Sequence, residues 1–182
     1  MSAELYLLRH GATRDTGAGR YPSAGPGPAL DPVGREALRN TAFPWGGDGI
    51  CGLRVWSSPA LRARQTCQVL GLTPDRIHPG LAEADFGVLA GLTWAQAQAS
   101  YGPEAAAWLR LLADPTSPGG PPRGESGAAF HARVWACLNA LPRYPRALWV
   151  THGGVIQAVL RLTGGGFAQL LPGDWLLLQR GP

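Results

Sequence analysis

The chain has 182 residues, 45% of them hydrophobic and 15% charged, with a formal net charge of +4. That length and balance fit one globular domain with a sizeable core and exclude a disordered chain. Its 16 basic residues, all arginine, are scattered without basic runs or interleaved aromatics, so the mild charge suits an anionic small molecule and not a nucleic-acid surface.

Glu4 to Arg9 is a short apolar run suited to a buried strand, and it runs straight into Arg9-His10-Gly11. Residues from Gly11 to Leu30, rich in Gly and Pro, read as a loop. Asp31-Pro32 predicts a helix start, because Asp caps free N–H groups and Pro is tolerated at the first helical position; that helix runs to about Thr41. Gly46 to Gly52 reads as a turn, Leu53 to Ser57 as a second strand, and Pro59 opens a helix through about Leu70 that Gly71 ends. Arg76 to His78 is a short strand. Thr93 to Tyr101 and Pro103 to Ala113 are two Ala-rich helices separated at Gly102-Pro103, and Asp114 to Gly124 is a Pro/Gly loop too short for a domain linker. Ser126 to Leu141 is an amphipathic helix capped by its serine. Ala147 to Thr151 is a strand, followed by a helix from about Gly154 to Leu162 that Gly164-Gly165-Gly166 ends, and Asp174 to Arg180 is a final strand near an edge.

Strands alternating with helices and no internal repeat predict a single three-layer α/β/α domain over residues 1–182, its mostly parallel sheet covered on both faces. Ligands of such sheets bind at the carboxyl ends of strands, where Arg9-His10 and His152 both fall. The three cysteines, Cys51, Cys67 and Cys137, are far apart and odd in number. They have no metal-ligand spacing and are expected as free thiols in a reducing cytoplasm. Neither a signal peptide nor a membrane span is readable.

Phosphoryl transfer needs an in-line nucleophile, positive charge on the non-bridging oxygens and a proton for the leaving group. The sequence offers a candidate for each. His10 is the nucleophile candidate: a neutral imidazole attacks with one nitrogen while the other, protonated, is held by an acceptor. Arg9 and Arg62 are the anion clamps, Arg62 in a helix's first turn, with Arg64 as a rival or a solvated charge. His152, in Thr151-His152-Gly153-Gly154, is placed to donate to phosphoryl oxygens. Glu83 is the proton-donor candidate, its pKa raised by burial and by a bound phosphate dianion; Asp85 is the rival that chemistry alone does not eliminate.

Together these segments resemble the histidine phosphatase superfamily, also called phosphoglycerate mutase-like. Four ordered blocks carry the resemblance: Leu7 to Thr13, Ser57 to Thr66, Gly124-Glu125-Ser126 with Phe130 and Arg133-Val134, and Val150 to Ile156. It implies that His10 is phosphorylated and then dephosphorylated by water, that Arg9, Arg62 and His152 hold the phosphoryl group with further contacts from Thr16 and Gly153, and that Glu83 is general acid and then base. It also implies that Glu125 steadies the arginines, that Thr13 supports the site from behind, and that no metal or cofactor is needed. His78 and His131 match no block and read as structural. Two positions depart from the family pattern: Ala12 stands where a Glu is common, and Thr16 where an Asn contact is common.

The region from Gly91 to Gly124 holds only Arg110 and Arg123 as cations, too few for the basic cage of a mutase, so a phosphatase is favoured over a phosphoglycerate mutase or a silent phosphate-binding member. Gly19-Arg20-Tyr21, Ala29 to Gly34 and Glu83 to Gly87 resemble the α-ribazole phosphatase branch, with Tyr21, Phe86 and Trp94 as aromatic selectivity contacts or simple core packing. The expected partner is a small phosphate ester, with no nucleic acid and no membrane. The final strand, with Leu176-Leu177-Leu178, either pairs with a second copy as a homodimer or is covered, and the sequence leaves both open.

Overall fold

The computed structural model describes residues 3–23, 25–44, 52–140 and 144–180, Arg180 by its backbone alone. In chain order the elements are β1 (Ala3–Arg9), α1 (Arg14–Gly17), α2 (Pro32–Asn40), β2 (Arg54–Ser57), α3 (Leu61–Val69), β3 (Arg76–Ile77), α4 (Trp94–Tyr101), α5 (Pro103–Ala113), α6 (Gly127–Ala140), β4 (Arg146–Thr151), α7 (Gly153–Leu162) and β5 (Trp175–Arg180). The sheet runs β3-β2-β4-β1-β5. β1, β2, β3 and β4 are parallel, and β5 lies antiparallel against β1 at one edge. The expected three-layer, mostly parallel fold is therefore present.

Strand alternation explains the two-sided core. Leu5 and Leu7 of β1 and Trp149 of β4 face one side, where Val134 and Cys137 of α6 and Val155, Ile156 and Val159 of α7 pack. Tyr6 and Leu8 of β1 and Leu148 and Val150 of β4 face the other side, against Ala63 and Cys67 of α3. Successive strand side chains point to opposite faces, so a strand buried on both sides reads as a continuous apolar run. A third cluster of Leu89, Ala97 and Ala105 joins α4 to α5, and Tyr21 and Phe86 pack against it.

Most helix boundaries follow local chemistry. Asp31 caps α2, accepting from the Gly34 N–H at 2.5 Å, with Pro32 at the first position. The Ser126 hydroxyl accepts from the Ala129 N–H at the start of α6. The segment from Gly11 to Leu30 is not merely a loop: Thr13 and Thr16 form a reciprocal capping box that nucleates the one-turn α1, and bridges pair Thr13 with Leu30 and Arg20 with Thr93. Two 3-10 turns, Pro79–Leu81 and Gly87–Leu89, also flank the Glu83 segment. The turn expected at Gly46 to Gly52 falls, apart from Gly52, outside the described residues, as do Cys51 and Leu141. Among the described residues, no helix is long and apolar enough to cross a membrane.

Candidate active site

The parallel strands β1 and β4 deliver two imidazoles side by side. The His10 N–H donates to the Thr151 carbonyl at 2.9 Å, one residue beyond the β1–β4 ladder, and His152 follows at the end of β4. The rings lie edge to face, 5.0 Å between centroids. Both are buried among charged neighbours, which fixes their protonation.

His10 Nδ1 lies 2.8 Å from the Gly11 carbonyl. A carbonyl only accepts, so Nδ1 carries the proton and Nε2 keeps a lone pair. Burial, then the positive charge of Arg62, pushes the His10 pKa down to about 3, so the neutral form prevails at physiological pH. Arg62 Nε donates to that lone pair at 3.0 Å, and its Nη2 donates to His152 Nδ1 at 3.0 Å. His152 therefore carries its proton on Nε2, which donates to the Ser58 hydroxyl at 2.8 Å. Burial, with His10 and Arg62 beside it, also holds the His152 pKa well below the usual histidine value.

Arg62 is the second residue of α3 and is 4% exposed, whereas Arg64 is exposed and has no part in the site. Thr66, one turn on, ties this helix to the nucleophile loop: its hydroxyl accepts from the Gly11 N–H and donates to the Arg62 carbonyl. Arg9 gives Nη1 to the Leu170 carbonyl at 2.5 Å, while its buried Nε finds no partner among the described residues. An unpaired guanidinium N–H at a cavity wall is expensive unless an anion completes it. Burial lowers the pKa of both arginines, yet a guanidinium stays charged at any working pH.

Glu83 sits opposite. Its two carboxylate oxygens accept from the Ala84 N–H and from the Gly154 N–H in the first turn of α7, each at 3.1 Å. Burial raises its pKa, outweighing those two N–H groups and the charges of Arg62 and Arg133. A carboxyl held towards its protonated form in a cavity that it shares with His10 and two arginines is suited to proton transfer. A Cβ at Gly154 would lie 2.3 Å from a Glu83 oxygen, so only glycine leaves room for this approach.

Arg9, His10, Thr13, Thr16, Arg62, Glu83 and Gly153 line one cavity, with His152 buried behind Arg62. Thr16 faces this cavity, but its hydroxyl is committed: it accepts from the Thr13 N–H and donates to the Thr13 carbonyl. Asp85 is separated from Glu83 by its placement. It lies outside the His10 cavity and accepts from the Gly87 N–H. Glu125 does steady an arginine, though Arg133 rather than Arg9 or Arg62. Arg133 forks onto both Glu125 oxygens at 2.6 and 2.8 Å and donates to the carbonyls of Gly80, Ala82 and Glu83. Sequence reasoning placed Arg133 only within a motif block. The available signal was an Arg two turns inside the helix that follows Glu125. Ser58, which orients His152, was likewise seen only as part of a block.

The remaining histidines do not line this cavity. His78 stacks on Trp56, and His131 gives Nδ1–H to the Gly127 carbonyl inside α6. Tyr21 and Phe86 pack on each other at 5.1 Å, and neither they nor Trp94 line the His10 cavity. Among the described residues, no group of His, Cys, Asp and Glu is arranged to hold a metal.

The family model for the histidine phosphatase superfamily (branch 1) matches residues 5–172. The chain is 30% identical over 168 residues to 6-phosphofructo-2-kinase/fructose-2,6-bisphosphatase 4 of Homo sapiens, covering 92% of this chain and 34% of that protein. It thus spans about a third of that relative's length. It is 33% identical over 169 residues to a metal-independent phosphoserine phosphatase of Arabidopsis thaliana, covering 88% and 68%. Among solved structures, a phosphoglycerate mutase from Thermus thermophilus superposes with a TM-score of 0.75 at 32% identity, over 98% of this chain and 99% of that one. The paired strand-end histidines, the guanidinium between them and the matched span agree: this chain belongs to the histidine phosphatase superfamily, branch 1.

Proposed function

We propose that the protein is a metal-independent phosphomonoesterase that hydrolyses a small phosphorylated metabolite through a phosphohistidine on His10. The observation that carries this reading is the His10 tautomer. The Gly11 carbonyl holds the Nδ1 proton, so Nε2, which faces Arg62, is the nucleophilic atom.

In this reading an incoming phosphate draws the Arg62 N–H groups away from the two histidines and completes Arg9 Nε. Nε2 of His10 attacks phosphorus, and the P–O bond to the leaving group breaks. Glu83 gives its proton to the departing oxygen. Glu83, now a carboxylate, takes a proton from water, whose oxygen attacks the phosphohistidine, frees phosphate and restores the neutral imidazole. Arg9 and Arg62 offset charge on the equatorial oxygens, and Gly153 lets the backbone approach them; His152 donates to them only in the other tautomer, with its proton on Nδ1 and the Ser58 hydroxyl donating to Nε2. Thr13 and Glu125 hold the surrounding loops, and Thr16 belongs with them through its capping box.

Phosphatase is preferred to mutase because Arg110 lies exposed on α5 and Arg123 is exposed and does not line the His10 cavity. No second cationic cage therefore exists in that region to retain a bisphosphorylated intermediate. α-Ribazole phosphate is the specific substrate that the sequence resemblance suggests; since Tyr21, Phe86 and Trp94 do not line the cavity, that choice rests on sequence cues. A cytoplasmic location fits Cys67 and Cys137, which are buried unpaired thiols pushed up to about 11 and about 12 by burial.

The test is release of free phosphate from p-nitrophenyl phosphate, 3-phosphoglycerate and α-ribazole phosphate in the presence of chelator, with His10→Ala alongside. Release that disappears in the variant supports the reading. Isomerisation of 3-phosphoglycerate without release would establish a mutase instead.

A further inference from the structure

The His10 cavity, of about 220 Å³, has a neighbour of about 330 Å³, and Arg62 and Glu83 line both. A leaving group released beside Glu83 therefore has a second lobe to enter. What that lobe accepts depends on which of its charges are still free to bind.

Beyond Arg62, the second lobe has one cation among the described residues, Arg133, and its hydrogen bonds are spent. They go to both Glu125 oxygens and to the carbonyls of Gly80, Ala82 and Glu83. Both Glu125 oxygens are correspondingly occupied by Arg133, and one of them also takes the Asp85 N–H. Asp85 differs. One of its oxygens accepts from the Gly87 N–H, and the other takes no hydrogen bond among the described residues. In the first lobe, Arg20 gives Nη1 to the Gly91 carbonyl and the Gln96 side chain, which tethers its guanidinium at the exposed rim of that lobe and not in the second. The cations left to bind an anion thus lie in the first lobe or at its junction with the second: Arg9 Nε, Arg20 at the rim, and Arg62, which donates only to the two neutral imidazoles; the second lobe adds an unspent carboxylate oxygen.

Resting on the phosphatase reading, we infer that the substrate carries a single anionic group, its phosphate, and that its alcohol portion bears hydroxyls or an ammonium that donate to Asp85. A second carboxylate or phosphate entering the second lobe would meet Asp85 and Glu125, with the Arg133 hydrogen bonds already spent and Arg62 turned to the phosphoryl group. A hydroxyl or ammonium meets an acceptor. Asp85 is on this account a specificity-determining residue, and Glu83 remains the proton donor.

The test uses matched pairs: phosphoethanolamine against phosphoglycolate, and glycerol 3-phosphate against 3-phosphoglycerate. Each is measured both as a substrate and as a competitor of p-nitrophenyl phosphate hydrolysis. One like charge in a partly solvated lobe is expected to separate each pair by at least about tenfold in kcat/KM or Ki. Asp85→Asn should narrow the ethanolamine–glycolate ratio from both sides. Equal or better handling of the carboxylate members, or a ratio that Asp85→Asn leaves unchanged, overturns the inference while His10-dependent hydrolysis of p-nitrophenyl phosphate leaves the phosphatase reading standing. Absence of that hydrolysis overturns both.

Discussion

Arg133→Lys should separate positioning of Glu83 from mere stability. The guanidinium makes a two-point fork with Glu125 and three bonds to carbonyls, at 3.2, 2.8 and 2.9 Å, two of them on Ala82 and Glu83. Lysine keeps the charge but offers a point donor with no fork, so most of these bonds are lost together. Both members of the ion pair are about a quarter exposed, which discounts its worth for solvent screening. With two or three carbonyls left underserved, the loss is about 2–3 kcal/mol, a fall in Tm of about 4–12 °C. The kinetic consequence is selective. A segment that drifts by about 1 Å costs on the order of 10²-fold in rate where its group acts. In the proposed mechanism Glu83 protonates the leaving oxygen, so an alkyl phosphate, with a poor leaving group, should lose about 10²-fold in kcat at temperatures where the variant is folded. p-Nitrophenyl phosphate has a good leaving group and should lose less than about tenfold, because it needs the proton less. Steady-state kinetics on both substrates, with circular dichroism to confirm folding, measures this. Equal losses on the two substrates would refute the reasoning.

Gly154→Ala places a methyl 2.3 Å from a Glu83 oxygen while suiting the helix, so the fold should hold or gain a few tenths of a kcal/mol and alkyl phosphatase activity should fall; thermal melts and kinetics read both. Acid should destabilise the protein through His10 and His152. Their folded pKa values are depressed, so the unfolded chain binds more protons, and stability falls as pH drops from about 6.5 towards 3, by up to about 1.4 kcal/mol per pH unit per histidine. Glu83, with a raised pKa, acts in the opposite sense, losing stability as pH rises through its folded value. Urea titrations across that range should show the acid slope, and His10→Gln should reduce it. Thr16→Val breaks the capping box and should cost about 1 kcal/mol while changing KM for p-nitrophenyl phosphate less than about threefold; a large KM rise would make Thr16 a phosphate contact.

The fold was legible because β1 and β4 are buried on both faces and appear as unbroken apolar runs, and because Asp31, Ser126 and the Gly102-Pro103 break punctuate the helices chemically. Arg9, His10 and His152 were legible because Arg9 ends a strand and each histidine directly follows one. The one-turn α1 was not, since its Thr13–Thr16 box lies within a Gly-rich stretch where loop composition dominates. The choice between Glu83 and Asp85 was also out of reach. They lie two residues apart with the same chemistry, and what separates them is the Gly154 N–H from a helix 71 positions away. Arg133 needed tertiary information of the same kind, because its carbonyl partners lie 50 to 53 positions earlier in the chain.

The most direct test of the account is rapid quenching of the enzyme with phosphorus-labelled p-nitrophenyl phosphate, followed by peptide mapping. An acid-labile, base-stable phosphoryl group is expected on His10, formed and discharged at least as fast as turnover and absent in His10→Gln. Turnover without any such phosphoenzyme, or with the label on another residue, would contradict it.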